Sequence, residues 1–305
     1  MTMGKCARRG RERQEQLAKK NKRDREWEEK LSGYDDEMKE AILAQLKKRE
    51  RIRKLTSFLC IVLAVGCLGY FGAYYYFHER TSADTEALAS MKIASGNVQT
   101  SLAYTLAADR GAPILDEYVN LLAKNKNLIG WLKIDDTNID YPVMQNGDRE
   151  YYLTHNFNQE SDKNGCIFMD PDCDVLQPST NLIVYGHHMS SGKMFGKLDL
   201  YKDREYMKAH DTIQFDTIYE KGIYKVAYVF MDEVHADNEV TFKYYQFIDA
   251  NSEEEFNSNI SAIEKMALFG ANVSVSYGDR LLTLSTCDKT ETKDGRFVIL
   301  AKKIG

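Results

Sequence analysis

The stretch LTSFLCIVLAVGCLGYFGAYYYF, Leu55 to Phe77, runs for 23 residues without a charged side chain. A helix needs about 20 mostly apolar residues to cross the hydrocarbon core of a bilayer. A buried core helix is the alternative, but the flanks argue against it. Lys47, Lys48, Arg49, Arg51, Arg53 and Lys54 crowd the N-terminal side, and Tyr74, Tyr75 and Tyr76 sit at the other end. The first cluster fits the positive-inside rule and the second an interfacial aromatic belt. A cleaved secretory signal would carry an apolar core of about 7–15 residues near the start of the chain. The expectation is therefore an uncleaved signal-anchor: 1–54 a charged cytoplasmic tail, 55–77 a single membrane span, and everything from about residue 78 extracytoplasmic.

The charge is split across this divide. Residues 1–54 hold 18 Lys and Arg against 11 Asp and Glu, a net of +7, and the rest of the chain is net −12. Such asymmetry suits two compartments. The tail is poor in large apolar residues, and no aromatic or Gly-rich recognition pattern accompanies its basic groups. It reads as a solvated, partly helical tail, and nucleic acid is not expected as a partner.

Cysteines are sparse. Cys6 falls in the tail, Cys60 and Cys67 in the span, and Cys166, Cys173 and Cys287 beyond it. An odd number outside leaves at least one unpaired within a monomer. Cys166 and Cys173 could bridge only if their geometry allows it. No CxxC pair suggests zinc, and no cofactor is expected.

Residues 78–110, rich in Ala, Ser and Thr from Thr81, read as a helical stalk or linker, and 111–305 as one mostly-β domain. Behind Pro113, the run PILDEYVNLLAKN places Ile114, Leu115, Tyr118, Leu121 and Leu122 at helical spacing. Eight short β-rich runs follow: IGWLKI, IDYPVM, CIFMD, NLIVYG, TIQFD, IYKVAYVFM, RLLTLSTC and RFVILAKK. Eight such runs suggest a closed barrel or a sandwich. One helix interrupts them. Ser252 and Glu255 stand in capping-box spacing, Phe256, Ile260, Ile263 and Ala267 mark one face, and Gly270 can close the end.

The chemistry concentrates at strand ends. If RLLTLSTC and RFVILAKK pair as a hairpin, Cys287 and Arg296 meet at its loop end, across DKTETKDG. A cation favours the reactive thiolate, and a guanidinium offers donors in a fixed fork to a developing oxyanion. A structural cysteine beside a surface arginine is the alternative. A thiol nucleophile also needs a proton-transfer partner, most often histidine. His187 and His188 end NLIVYGHHM at another strand end, and only one of two adjacent residues on an extended chain can face the thiol. His155, between aromatics, reads as packing. His78 borders the membrane, and His210 and His235 sit in polar stretches.

TLSTC followed by an arginine after a short loop, together with YGHHM, resembles the sortases, membrane-anchored cysteine transpeptidases of Gram-positive bacteria. The likeness extends over about 114–305 and includes IGWLKI, IDYPVMQ, YYLTHNF, GCIFMD and the late helix, which is similar to class B members. The resemblance implies an eight-stranded sortase-type β-barrel with N-terminal helices and a helix before the cysteine strand. It puts the family's cysteine on Cys287, ending the seventh strand. The family's histidine, directly after glycine, falls on His187, and its arginine on Arg296. Ser285, Thr286 and Tyr185 are implied as lining the substrate groove, with ordinary barrel packing as the alternative.

Implied partners are secreted proteins bearing an NPQTN-like or LPxTG-like C-terminal sorting signal. The implied acceptor is an amine of a peptidoglycan precursor or a pilin lysine. A non-catalytic surface domain that keeps the barrel is the competing reading. A papain-type protease is disfavoured, because no Asn- or Asp-oriented Cys–His pair is evident.

Overall fold

In the computed structural model the chain divides into two compact units, Met1–Phe77 and His78–Gly305. The described residues are 14, 18, 25–27, 29–93, 100–236, 238–287 and 295–305, without the side chains of 77–83, 93, 100, 101 and 287. In the first unit, residues 36–76 belong to α1 (Asp36–Ile93), the one described helix long and apolar enough to cross a membrane. None of its apolar window is buried, the reverse of what a core helix would show.

The second unit is mostly sheet. Its strands are β1 (Leu128–Lys133), β2 (Asp140–Met144), β3 (Ile167–Met169), β4 (Asn181–Gly186), β5 (Thr212–Thr217), β6 (Ile223–Glu233), β7 (Ala267–Gly270), β8 (Leu281–Cys287) and β9 (Gly295–Lys303). They pair in the order β5-β1-β2-β3-β4-β8-β9-β6-β7, and β5 also pairs with β6. Eight strands thus close into a ring, and β7 hangs on β6 outside it. The eight ring strands coincide with the eight β-rich runs of the sequence. β8 is the seventh ring strand in chain order.

The helices are α2 (Thr100–Arg110), α3 (Asp116–Lys124), the short α4 (Arg204–Ala209) and α5 (Glu253–Met266). Strand alternation sorts the apolar residues to two sides of the ring. Leu282, Leu284, Phe297 and Ile299 pack with Ile183 and Val226 in one cluster. Leu281, Val298, Leu300 and Phe230 pack outward under Phe256, Ile260 and Ile263 of α5. A third cluster joins Tyr118, Val119, Leu121 and Leu122 of α3 to Leu128 and Trp131 of β1, and also takes in Leu88 and Leu106. Each fully buried Leu or Phe contributes roughly 1.5–3 kcal/mol by leaving water.

One sequence expectation needs correction. The late helix ends at Met266, not near Gly270, although Ser252 does cap its start by accepting from Glu255 N at 3.1 Å. Ala267 is already extended, and residues 267–270 pair with β6, Phe269 opposite Val229. Helical periodicity continues through Ala267, but the exposed edge of β6 offers those backbone groups a ladder instead.

Candidate active site

Strand direction gathers the chemistry at one end of the ring. β4 and β8 run parallel, with Gly186 opposite Thr286, so the residue after Gly186 and the end of β8 emerge together. β9 runs antiparallel to β8, which brings its start to the same end, Arg296 directly opposite Cys287. β6 is antiparallel to β9 in turn, and its last residues reach this end as well.

A cavity of ≈ 320 Å³ opens there, lined by Tyr185, His187, Ser285, Thr286 and Arg296 together with Arg149, Leu153, Asp170, Val234, Tyr244 and Tyr245. Five of the six sequence-designated residues therefore share one cavity. The sixth, Cys287, has its backbone at the cavity end of β8, and its side chain and the loop 288–294 lie outside the described residues.

His187 is oriented by its surroundings. Its Nε2 stands 2.7 Å from the carbonyl oxygen of Leu153, and a carbonyl can only accept, so Nε2 carries a hydrogen. In the neutral ring Nδ1 is then the nitrogen without a hydrogen. The glycine before it is a steric requirement. A Cβ at Gly186 would come within 2.5 Å of Ile167 Cδ1 and 2.7 Å of Phe195. His188 turns elsewhere and pairs with Asp199 at 2.7 Å. His155 stacks on Tyr151, with ring centroids 4.1 Å apart, as a packing residue. His210 likewise stacks on Tyr206.

Asp170, with 1% of its side chain exposed, supplies negative charge to the cavity wall. Its Oδ1 is 3.1 Å from Arg149 Nη2, and its Oδ2 accepts from the Tyr185 hydroxyl at 3.1 Å. Burial, and then the charge of Asp170, push the Tyr185 hydroxyl far up, so it stays a neutral donor. On the β8 side Ser285 shares a 2.8 Å hydrogen bond with the Tyr244 hydroxyl. Thr286 Oγ1 is buried without a hydrogen-bond partner among the described residues. Arg296 is half-buried, and its Nη1 donates to Gly295 O at 2.9 Å.

Cys166 and Cys173 are both free rather than bridged, and both are buried. Burial pushes each thiol up to about 12. Arg149, Asp170, Tyr244 and Tyr245 went unmarked in the sequence as site residues. Asp170 closes the run CIFMD and was the one with a signal, a carboxylate at a strand end.

A ring of this topology with this cavity defines a sortase-type enzyme, and the sortase-domain family matches residues 132–304. The chain belongs to the sortase family of cysteine transpeptidases. Its similarity is to class B. Sortase B of Listeria monocytogenes is 37% identical over 196 residues, which span 63% of this chain and 75% of that protein. Sortase B of Bacillus anthracis, solved in complex with AAEK1, superposes with a TM-score of 0.62 at 28% identity, over 75% of this chain and 99% of the other. A Staphylococcus aureus sortase B–substrate complex gives a TM-score of 0.62 at 25% identity, over 74% and 97%.

Proposed function

We propose that this sortase is anchored by residues 55–77 with its catalytic domain, about 111–305, outside the cell, and that it joins secreted proteins to a cell-wall amine. The proposal assigns the nucleophile to Cys287. Its thiolate attacks the carbonyl carbon of the threonine in a C-terminal sorting signal, and Arg296 donates hydrogen bonds to the resulting oxyanion. The C–N bond breaks as His187 gives its Nδ1 proton to the leaving amine. A thioester remains on Cys287. An amine of a peptidoglycan precursor then attacks it and loses a proton to His187, and the C–S bond breaks to return Cys287 as the thiolate while the new amide forms. Tyr185, Ser285 and Thr286 line the groove that receives the signal.

The observation that carries this reading is the row of strand ends. His187 follows β4 and Arg296 opens β9, both lining one cavity, and Cys287 stands opposite Arg296 in the ladder at the end of β8. A cation beside a thiol favours the thiolate, and donors held in place before reaction stabilise an oxyanion without reorganising. Transfer to an amine rather than to water needs an acyl-enzyme that persists. A membrane anchor would keep it beside a lipid-linked acceptor.

The test uses the full chain in detergent micelles, incubated with NPQTN- and LPxTG-type peptides and followed by intact-mass spectrometry. The expected result is a thioester adduct, absent in Cys287→Ala and resolved by an added amine. Adduct formation that survives Cys287→Ala would sink the assignment. Resolution by a pilin-type lysine but not by a wall-precursor amine would move the acceptor to a pilin.

A further inference from the structure

We propose that Asp232, braced by His235, is the positioning residue for Arg296, an inference that rests on the oxyanion role given to Arg296 above. Arg296 is the middle member of a row of three strands: Cys287 is its partner on β8, and Asp232 is its partner on β6. Directly opposed residues of antiparallel strands share a face, with Cβ atoms about 4.5–5.5 Å apart. A carboxylate is therefore the cross-strand neighbour of the guanidinium, on the side away from the thiol strand.

That carboxylate is buried and only half satisfied. The Asp232 side chain is 7% exposed, and its Oδ1 accepts from His235 Nε2 at 3.0 Å. Its Oδ2 is buried and has no hydrogen-bond partner among the described residues. A buried acceptor left unfilled is costly, and such atoms in folded proteins call for an explanation. The donor-rich side chain one strand away supplies it. A guanidinium carries five N–H groups in one plane, more than an oxyanion can use. A carboxylate at its flank takes up some of the remainder and fixes the orientation of that plane.

His235 holds the carboxylate still. Its Nδ1 stands 3.1 Å from Glu239 Oε2, so both ring nitrogens meet carboxylates. The backbone oxygen of His235 accepts from the Tyr245 hydroxyl at 3.2 Å. Tyr245 and Val234 both line the cavity. The brace is thus continuous with the cavity wall. Asp232 itself ends an apolar run with nothing in the sequence to distinguish it from an ordinary solvent-facing carboxylate.

The experiment measures single-turnover acylation of the full chain in micelles, with whichever NPQTN- or LPxTG-type peptide the unaltered chain acylates. Asp232→Asn is made alone and combined with Arg296→Lys, which keeps the cation but not the fork. The expected result is about a tenfold loss of acylation rate with KM within about twofold. In the Arg296→Lys background Asp232→Asn should cause no further loss, because residues acting as one unit are non-additive. Equal loss in both backgrounds means a merely structural role and overturns the proposal, as does no loss in either. If Asp232→Asn does not fold, His235→Gln decides by the same comparison, with an expected loss of about threefold in the unaltered background alone. An unaltered chain that acylates with no peptide overturns the reading of Arg296, and this inference with it. An active chain indifferent to Asp232 overturns this inference only.

Discussion

The Tyr244 hydroxyl and Ser285 Oγ lie 2.8 Å apart, and both residues are almost fully buried. This one bond ties the segment that walls the cavity, around residues 244–246, to the strand that ends in Cys287. Tyr244 also packs edge-on against Phe230 of β6, with ring centroids 5.7 Å apart. The cavity wall is thereby held to β8 by a hydrogen bond and to β6 by a ring.

Removing one partner of that bond takes a hydrogen bond from the other at a buried position. Tyr244→Phe and Ser285→Ala should each cost about 1–3 kcal/mol, and the double variant should cost less than the sum. Chemical denaturation of the four proteins of the cycle measures this. A fully additive double variant would show that the two hydroxyls are satisfied independently.

Gly186→Ala should be destabilising despite the small change. Its Cβ would meet Ile167 Cδ1 and Phe195 well inside van der Waals contact, and overpacking of this kind costs typically 1–3 kcal/mol. Because Gly186 directly precedes His187, acylation should fall as well, and by more than the loss of folded protein explains. A Tm equal to that of the unaltered chain would contradict the packing argument.

The Leu153 carbonyl dictates the tautomer of His187. In neutral His187 the hydrogen should reside on Nε2, with Nδ1 deprotonated. Nitrogen-15 NMR of histidine-labelled protein separates the two tautomers by chemical shift. A neutral ring protonated at Nδ1 would remove the proton path written for the leaving amine.

Burial works against charge on His235, but the hydrogen bond to and charge of Asp232, followed by those of Glu239, outweigh it and raise its pKa above the usual 6.5. A histidine with a raised folded-state pKa adds stability that is fully present below its unfolded value. That stability is lost as pH rises through the folded value. The unaltered chain should therefore lose stability above about pH 6.5, and His235→Gln should flatten that slope. Denaturation midpoints between pH 5 and 8.5 test the sign: a slope that survives the substitution belongs to another group.

Cys166 and Cys173 should resist alkylation in the folded chain. With each thiol at about 12, only roughly one in ten thousand is thiolate at pH 8, and the thiolate is the reactive form. Peptide mapping after iodoacetamide at pH 8 should find both unmodified until denaturant is added. Labelling of either in the native protein would place it outside the core.

Much of this protein is legible along the chain. The apolar run 55–77, the eight β-rich runs and the face of α5 are all local periodicities, and period depends on side-chain direction alone. Cys287 and Arg296 are also visible, since pairing RLLTLSTC with RFVILAKK as a hairpin brings the two residues to one strand end. That His187 lines the cavity while His188 turns to Asp199 is visible only in the folded chain.

What the sequence by itself determined is the list of elements and the residues able to do thiol chemistry. The rest was decided by pairing across distance. The parallel β4–β8 ladder brings Gly186 beside Thr286, although 100 positions separate them in the chain. That contact is fixed by which strands bury each other's apolar faces, and nothing local encodes it. The same holds for Arg149 against Asp170, Tyr244 against Ser285, and Asp232 across from Arg296. It holds in reverse for residues 267–270, where helical spacing lost to an available sheet edge. Local sequence sets periodicity through side-chain direction, but a cavity arises only where the closed ring brings several strand ends together.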